Sequence, residues 1–149
     1  MKINTTSTGV LQIDDARICY RNLEGRGDRY NHAGDRNFSV VIGDPDLADQ
    51  LIEDGWNVKI KAGREEGDQP FMTLPVKIKG RTPAVYLQTG RNRPKLTEGE
   101  FRLVDQVSIE KVCLDVRPYD WDMDGKVGRT AYLNSMLVYQ QMDRFADWM

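Results

Sequence analysis

The segment FMTLPVKIKGRTPAVYLQT, residues 71–89, decides the fold class. In its first half apolar side chains alternate with polar ones, and this period of two predicts a half-buried strand over residues 71–79. The apolar positions are Met72, Leu74, Val76 and Ile78. Gly80-Arg81-Thr82-Pro83 interrupts the pattern and leads into a second predicted strand over residues 84–89. The segment therefore indicates a β protein.

The same alternation recurs on both sides of this segment. Five more strands are predicted, at residues 10–22, 37–42, 56–61, 109–117 and 129–139. The last two are joined by a polar turn around Asp124-Gly125. In the first strand Ala16, Ile18 and Tyr20 are predicted to face the core, and in the third Trp56 is predicted to be buried.

Two short helices interrupt the strands. The first helix is predicted after Asp44, which is a suitable N-cap, with Pro45 at N1. An apolar stripe follows, and Gly55 is a suitable C′ residue. Thr97 and Glu100 form a capping box that begins a second helix. We expect one domain over residues 1–139, followed at residues 140–149 by a tail or a third short helix.

The composition is that of a folded globular protein. The 149 residues are 40% hydrophobic and 30% charged, and no apolar run of about 18 residues predicts a membrane span. No signal peptide is apparent at the N-terminus, so a cytoplasmic location is expected. The two cysteines, Cys19 and Cys113, are predicted to be free thiols.

The net charge is only −2, from 21 basic and 23 acidic residues, but the charges are unevenly placed. Alternation puts pairs of cations on the outward face of three strands. These cations are Arg17, Arg21, Lys59, Lys61, Lys77 and Lys79. Acidic residues collect on the two predicted helices. A basic sheet face that binds a polyanion is one interpretation, and a mixed, solvated surface is the alternative.

Two loops add cations beside aromatic or glycine residues. Residues 22–36 contain Arg26, Arg29 and Arg36 around Tyr30, and residues 89–95 read TGRNRPK. Cations meet phosphates and aromatic rings stack on unpaired bases, so such loops suit an extended polyanion. Tyr119 and Trp121 are further stacking candidates, although Asp120, Asp122 and Asp124 beside them would repel phosphates.

Motifs for catalysis and metal binding are incomplete. Residues 120–125 match the start of a calcium-binding loop, but its twelfth position is Ala131 instead of glutamate. His32 is the single histidine and has no serine or cysteine at a recognisable catalytic spacing. We therefore expect no enzyme, no cofactor and no metal.

Several short motifs together resemble one family. They are Ile18-Cys19-Tyr20-Arg21-Asn22, Tyr30-Asn31, Gly34-Asp35-Arg36-Asn37-Phe38, Asp54-Gly55-Trp56-Asn57-Val58-Lys59, and Arg117-Pro118-Tyr119 with Gly128 and Ala131-Tyr132-Leu133. Over most of its length the chain is similar to phage and prophage single-stranded DNA-binding proteins with an OB-type fold. The resemblance implies an OB-like antiparallel β-barrel of five or more strands, with two or three short helices. It also implies non-specific coating of single-stranded DNA during replication or recombination.

Some expectations from this resemblance stay open. Relatives of this kind often recruit replication or recombination proteins through an acidic tail, whereas residues 143–149 contain only two acids, Asp143 and Asp147. The sequence does not decide between DNA and RNA or between a monomer and a homodimer. The alternatives to DNA binding are a phage structural or assembly protein and an inhibitor of a host enzyme, both acting through protein contacts.

Overall fold

The computed structural model describes residues 1–142 and contains eight strands and three short helices. The strands are β1 (Lys2–Thr5), β2 (Leu11–Asn22), β3 (Arg36–Ile42), β4 (Lys59–Lys61), β5 (Phe71–Ile78), β6 (Ala84–Gln88), β7 (Ile109–Met123) and β8 (Lys126–Gln140). The helices are α1 (Pro45–Glu53), a 3-10 turn (Glu98–Glu100) and α2 (Leu103–Gln106). Most of the predicted tail or third helix, residues 143–149, lies outside the described residues.

Five of the strands close into a barrel. Antiparallel pairs join β2 to β3, β3 to β5, β2 to β7 and β7 to β8. A short parallel contact between β5 and β8, which places Lys77 opposite Tyr132, completes the ring. The predicted mainly β, OB-like barrel is confirmed, with β1, β4 and β6 as additional strands.

The connection at residues 80–83 does not form a hairpin. Both β5 and β6 pair in parallel with β8, β5 near Ala131 and β6 from Ser135 to Tyr139. The connection therefore carries the chain along the edge of β8 and not back across β5. As a result β6 lies beyond the ring, beside the C-terminal half of β8.

The core fills the inside of the barrel. The predicted inward positions of β5 are buried, as are Val116 in β7 and Leu133 in β8. Phe101, which follows the 3-10 turn, is 1% exposed. Full burial of such side chains stabilises the fold by about 1.5–3 kcal/mol each. The predicted burial of Trp56 is also confirmed, because only 4% of the residue is exposed.

The prediction that Tyr20 faces the core is wrong. Ala16 is buried, but Tyr20 is 64% exposed. The pairing of β2 with β3 shifts register between Cys19 and Asn22, and Tyr20 has a φ of 52°. An extra residue in one strand reverses which face the following side chains occupy. The alternation of apolar and polar residues in the sequence does not reveal this bulge.

The hairpin of β7 and β8 is longer than predicted. The two strands pair all the way to Met123 and Lys126, with Asp124 and Gly125 as the two turn residues. Both turn residues have positive φ, 52° and 81°, as a tight hairpin turn requires. Residues 119–130 thus form a two-stranded extension, which we call the arm.

The remaining differences concern the edges of the sheet and the helix caps. β1 was not predicted, and the strand predicted at residues 56–61 is limited to the exposed residues Lys59–Lys61. The α1 N-cap is confirmed, since the Asp44 side chain accepts a hydrogen bond from the Asp46 N–H at 2.9 Å. None of the helices formed by residues 1–142 has the length and apolarity of a membrane span.

Candidate nucleic-acid interface

The outward surface of β3, β4 and β5 and of the adjoining part of β2, which we call the front face, carries cations along its edges. The strand register aligns Lys59 with Thr73, Thr73 with Val41, and Val41 with Arg17 of β2. Lys59 and Arg17 are exposed and stand at opposite ends of this row. Lys61 and Lys77 are exposed further along β4 and β5. The structure therefore brings four predicted site residues onto one surface.

An aromatic pair lies on this surface. Tyr20 and Phe71 meet edge to face with ring centroids 6.3 Å apart and an interplanar angle of 89°. Together with Lys59 and Lys61 they line a cleft of about 250 Å³. Phe71 is 38% exposed although it is a large apolar residue. Exposed rings beside cations are the arrangement that stacks on unpaired bases.

Sequence reasoning missed both rings. For Phe71 a signal was present, because it shares the outward parity of Thr73 and Lys77 in β5. For Tyr20 there was none, since the bulge that exposes it leaves no mark on the alternation.

The arm continues the front face. On one side of it, Tyr119 stacks on Tyr132 with centroids 4.9 Å apart and rings 7° from parallel. The Arg117 guanidinium lies 5.5 Å from the Tyr132 ring centroid. Because Tyr132 pairs with Lys77 of β5, this aromatic side of the arm joins the front face without a break. Tyr119 itself is 51% exposed.

Strand alternation separates the acids of the arm from its aromatic rings. Tyr119 and Trp121 share one side of β7, whereas Asp120 and Asp122 point to the other. The phosphate repulsion expected from Asp120 and Asp122 is therefore directed away from the aromatic side.

Trp121 is less available than Tyr119. Its indole lies directly over Gly128 on the opposite strand, where a Cβ would overlap the ring. The indole N–H donates a hydrogen bond to Thr130 Oγ1 at 3.2 Å. One face of the ring is thus covered by the arm itself, and the half-buried Trp121 stabilises the arm.

The acidic side of the arm is attached to α1 by Arg129. This guanidinium donates hydrogen bonds to Asp120 Oδ1 at 2.7 Å and to the Asp54 carbonyl at the end of α1 at 2.9 Å. The hydrogen bond from Arg129 lowers the pKa of Asp120 below its usual 3.8 and raises the pKa of Arg129. Arg129 also lies 5.5 Å from the Trp56 ring, so the attachment reaches the core.

The loop of residues 23–35 leaves the barrel beside Lys77. Asn22, which precedes the loop, pairs with Asn37 of β3, and Asn37 pairs in turn with Lys77 of β5. The Asn31 amide fixes the loop by donating to the carbonyls of Arg26 and Asp35. At its tip Tyr30 is 90% exposed, with the Arg29 guanidinium 5.8 Å from its ring. Arg26 makes a 3.5 Å ion pair with Glu24.

Two predicted site residues stabilise the end of the barrel. Arg21 donates hydrogen bonds to the carbonyls of Val104 and Val107 at 2.8 and 2.7 Å, which fixes the end of α2. Arg36 forms a 3.4 Å ion pair with Glu98 and lies 5.5 Å from the Phe101 ring. Their guanidinium groups are therefore occupied by the protein. Lys79 is exposed just beyond β5, and its carbonyl accepts a hydrogen bond from Arg117.

The basic loop at residues 89–95 lies apart from the front face, next to β6. Arg93 donates two hydrogen bonds to Gln88 Oε1 and lines a cleft that also contains Asp14 and Asp115. Burial raises the pKa of Asp115. Within residues 1–142 no group of three metal-ligating side chains is found.

With this geometry in place, comparison with known proteins decides the family. The family model of the phage ssDNA-binding domain matches residues 3–147. The chain belongs to the phage ssDNA-binding domain family. Single-stranded DNA binding, which the cations and aromatic residues indicated, is confirmed as the function of this phage ssDNA-binding domain. The comparison with curated proteins gives no match.

Solved structures with the same fold come from bacteriophage Enc34. Its single-stranded DNA-binding protein has a TM-score of 0.59 at 12% identity, covering 99% of this chain and 94% of that one. A form with a C-terminal truncation has 0.58 at 14%, covering 95% and 97%. The same protein in complex with ssDNA has 0.57 at 16%, covering 94% and 91%. The phage ssDNA-binding domain described here therefore shares the fold of that protein.

Proposed function

We propose that single-stranded DNA runs across the front face and onto the aromatic side of the arm. Phosphates contact the cations at the edges of this path, and bases stack on the exposed rings. The observation that carries the proposal is the exposed Tyr20–Phe71 pair with Lys59 and Lys61 at the rim of the same cleft. In OB folds the corresponding barrel face, with its flanking loops, is the surface that binds oligonucleotides.

The front-face cations are available for phosphates. Among the described residues, Arg17, Lys59, Lys61 and Lys77 take part in none of the four ion pairs. An exposed cation without a carboxylate partner gives up no internal contact when a phosphate arrives. Each such contact releases about 0.7 counterion from a single strand, so binding should weaken steeply with added salt.

The exposed rings supply the preference for unpaired bases. Tyr20, Phe71 and Tyr119 lie along the path, and Tyr30 stands on the loop beside Lys77. Stacking on an aromatic ring contributes about 1–3 kcal/mol per base and tolerates every base, because each base has a π face. Bases in a duplex are already stacked on each other, so the duplex cannot make these contacts.

We infer a non-catalytic role in which the protein coats single strands, with little sequence preference, during phage replication or recombination. For such a role we expect the protein in the cytoplasm of the bacterial host. Stacking and phosphate contacts also suit RNA, so RNA binding remains a prediction, as do a homodimer and recruitment of replication proteins. Asp120 and Asp122 of the arm face away from the proposed path.

The test is a titration of fluorescein-labelled oligo-dT, its RNA equivalent and duplex DNA, followed by anisotropy at two salt concentrations. We expect salt-sensitive binding of dT and at least tenfold weaker binding of the duplex. No binding of dT at low salt would refute the proposal. Binding to a phage structural protein or to a host enzyme instead would then favour the protein-contact alternatives.

A further inference from the structure

The floor of the cleft beside Tyr20 contains two hydroxyl groups. Ser39 of β3 and Thr73 of β5 point outward from the barrel, yet they are only 8% and 5% exposed. The register pairs Ser39 with Pro75 and Thr73 with Val41, so the two side chains are diagonal neighbours on adjacent strands. Neither hydroxyl is hydrogen-bonded to another of the residues 1–142, and no side-chain oxygen sealed from solvent among them lacks a partner, so both oxygens are open to the cleft.

A hydroxyl can both donate and accept a hydrogen bond, so a hydroxyl that is open to a cleft can bond to a ligand there. Here both face the cleft, which lacks carboxylates and is also lined by Lys59, Ile60, Lys61 and Pro75. The floor is therefore polar but uncharged, and the cations stand at the rim. This distribution suits a group that is neutral at its buried end and attached to a phosphate at its exposed end.

The walls fit a flat ring. The edge of one ring against the face of the other fixes the orientation of Tyr20 relative to Phe71. Tyr20 also has a φ of 52°, a strained conformation for a bulky residue. Such strain persists where the surrounding structure enforces it, and it concentrates at ligand sites.

We propose that this cleft is a slot for one unpaired base, whose edge hydrogen-bonds to the Ser39 and Thr73 hydroxyls while its ring stacks on the aromatic wall. The inference rests on the proposed function and adds that one base along the strand is held by its edge and not only by its face. Lys59 and Lys61 then contact the phosphates on either side of that nucleotide.

The experiment compares oligo-dT with an abasic oligomer of the same length, each titrated against the wild-type protein and a Ser39→Ala/Thr73→Val double variant. The abasic strand retains the phosphates and lacks only the bases. The double variant should bind dT about five- to tenfold more weakly and the abasic strand equally well. Its salt dependence should be unchanged, since no cation is altered.

Three controls make the outcome decisive. Thr73→Ser keeps the hydroxyl and should retain more of the dT affinity than Thr73→Val. Ser135→Ala, a hydroxyl deletion on the β7–β8 side of the barrel, should have no effect, and thermal unfolding verifies that each variant folds. An unchanged ratio of dT to abasic affinity in a folded double variant would overturn the slot. If the wild type bound no single strand, the proposed function itself would fail.

Discussion

At the residue scale, the backbone conformation of Tyr20 determines whether its ring is available to DNA. Its positive φ turns an aromatic ring out of the barrel and beside Phe71. Tyr20→Ala should weaken oligo-dT binding by about five- to a hundredfold, which corresponds to the loss of one stacked base. Because Tyr20 is already exposed, unfolding by urea should change little. Tyr20→Phe is the matched control and should bind like the wild type; equal affinity of the alanine variant would remove Tyr20 from the path.

Arg21 and Arg17 lie four residues apart in β2 but should respond in opposite ways. Arg21 holds two carbonyls at the end of α2, and hydrogen bonds from a charged group contribute about 1.5–3 kcal/mol. Arg21→Ala should therefore lower the free energy of unfolding by that amount. Arg17→Ala should leave stability unchanged and weaken DNA binding. Urea denaturation and anisotropy measured on both variants check this, and a reversed pattern would contradict the assignment.

Individual residues also show which side-chain positions can be predicted from the sequence. Alternation correctly placed Lys59, Lys61 and Lys77 outside the barrel because β4 and β5 pair without irregularity. It failed for Tyr20 because a bulge is a property of two strands together. It also could not show that the Arg21 guanidinium reaches the end of α2, a contact 83 residues distant in sequence.

At the element scale, the arm extends the proposed path beyond the barrel. Tyr119 is at the base of the arm and does not line the Tyr20 cleft, so the two rings should contact different nucleotides. Tyr119→Ala should weaken binding of an oligomer of about 15 nucleotides severalfold and leave one of about four nucleotides unaffected. Isothermal titration with both lengths measures this. An equal loss for both oligomers would mean that the arm does not extend the path.

The attachment of the arm to α1 predicts a dependence of stability on acid. Arg129 holds the pKa of Asp120 below its ordinary 3.8, so the ionised carboxylate favours the folded state. This contribution is present above pH 4 and is lost as pH falls through the lowered pKa. Asp120→Asn should remove it, and the difference in stability between wild type and variant should shrink from pH 6 to pH 2. Chemical denaturation across that range tests it; a constant difference would contradict the coupling.

The arm also explains why its strands were predicted too short. Beyond Arg117 neither side of β7 packs on the core, so the apolar–polar alternation that reveals a half-buried strand is missing. Pairing in this region depends on cross-strand contacts, such as Trp121 over Gly128 and Arg129 with Asp120. The Asp124-Gly125 turn was recognisable because it needs positive φ at both residues.

At the scale of the whole molecule, a net charge of −2 is compatible with binding a polyanion because the charges occupy different surfaces. The front face carries unpaired cations, and many of the acids lie on α1 and on the far side of the arm, whereas Asp68 lies at the edge of the front face near Tyr20 and Phe71. The basic loop at residues 89–95, which composition alone ranked with the binding loops, is next to β6 and outside the proposed path. Only the strand order, with β6 placed beyond β8, separates it from the front face.

The most direct measurement of the central claim is the salt dependence of oligo-dT binding for two charge-matched triple variants. One is Lys59→Ala/Lys61→Ala/Lys77→Ala on the front face, and the other is Arg91→Ala/Arg93→Ala/Lys95→Ala beside β6. We predict that the front-face variant reduces the slope of log affinity against log salt by about 2, at about 0.7 per lost phosphate contact. The β6 variant should keep the wild-type slope. An unchanged slope in the front-face variant, or a loss confined to the β6 variant, would contradict the account.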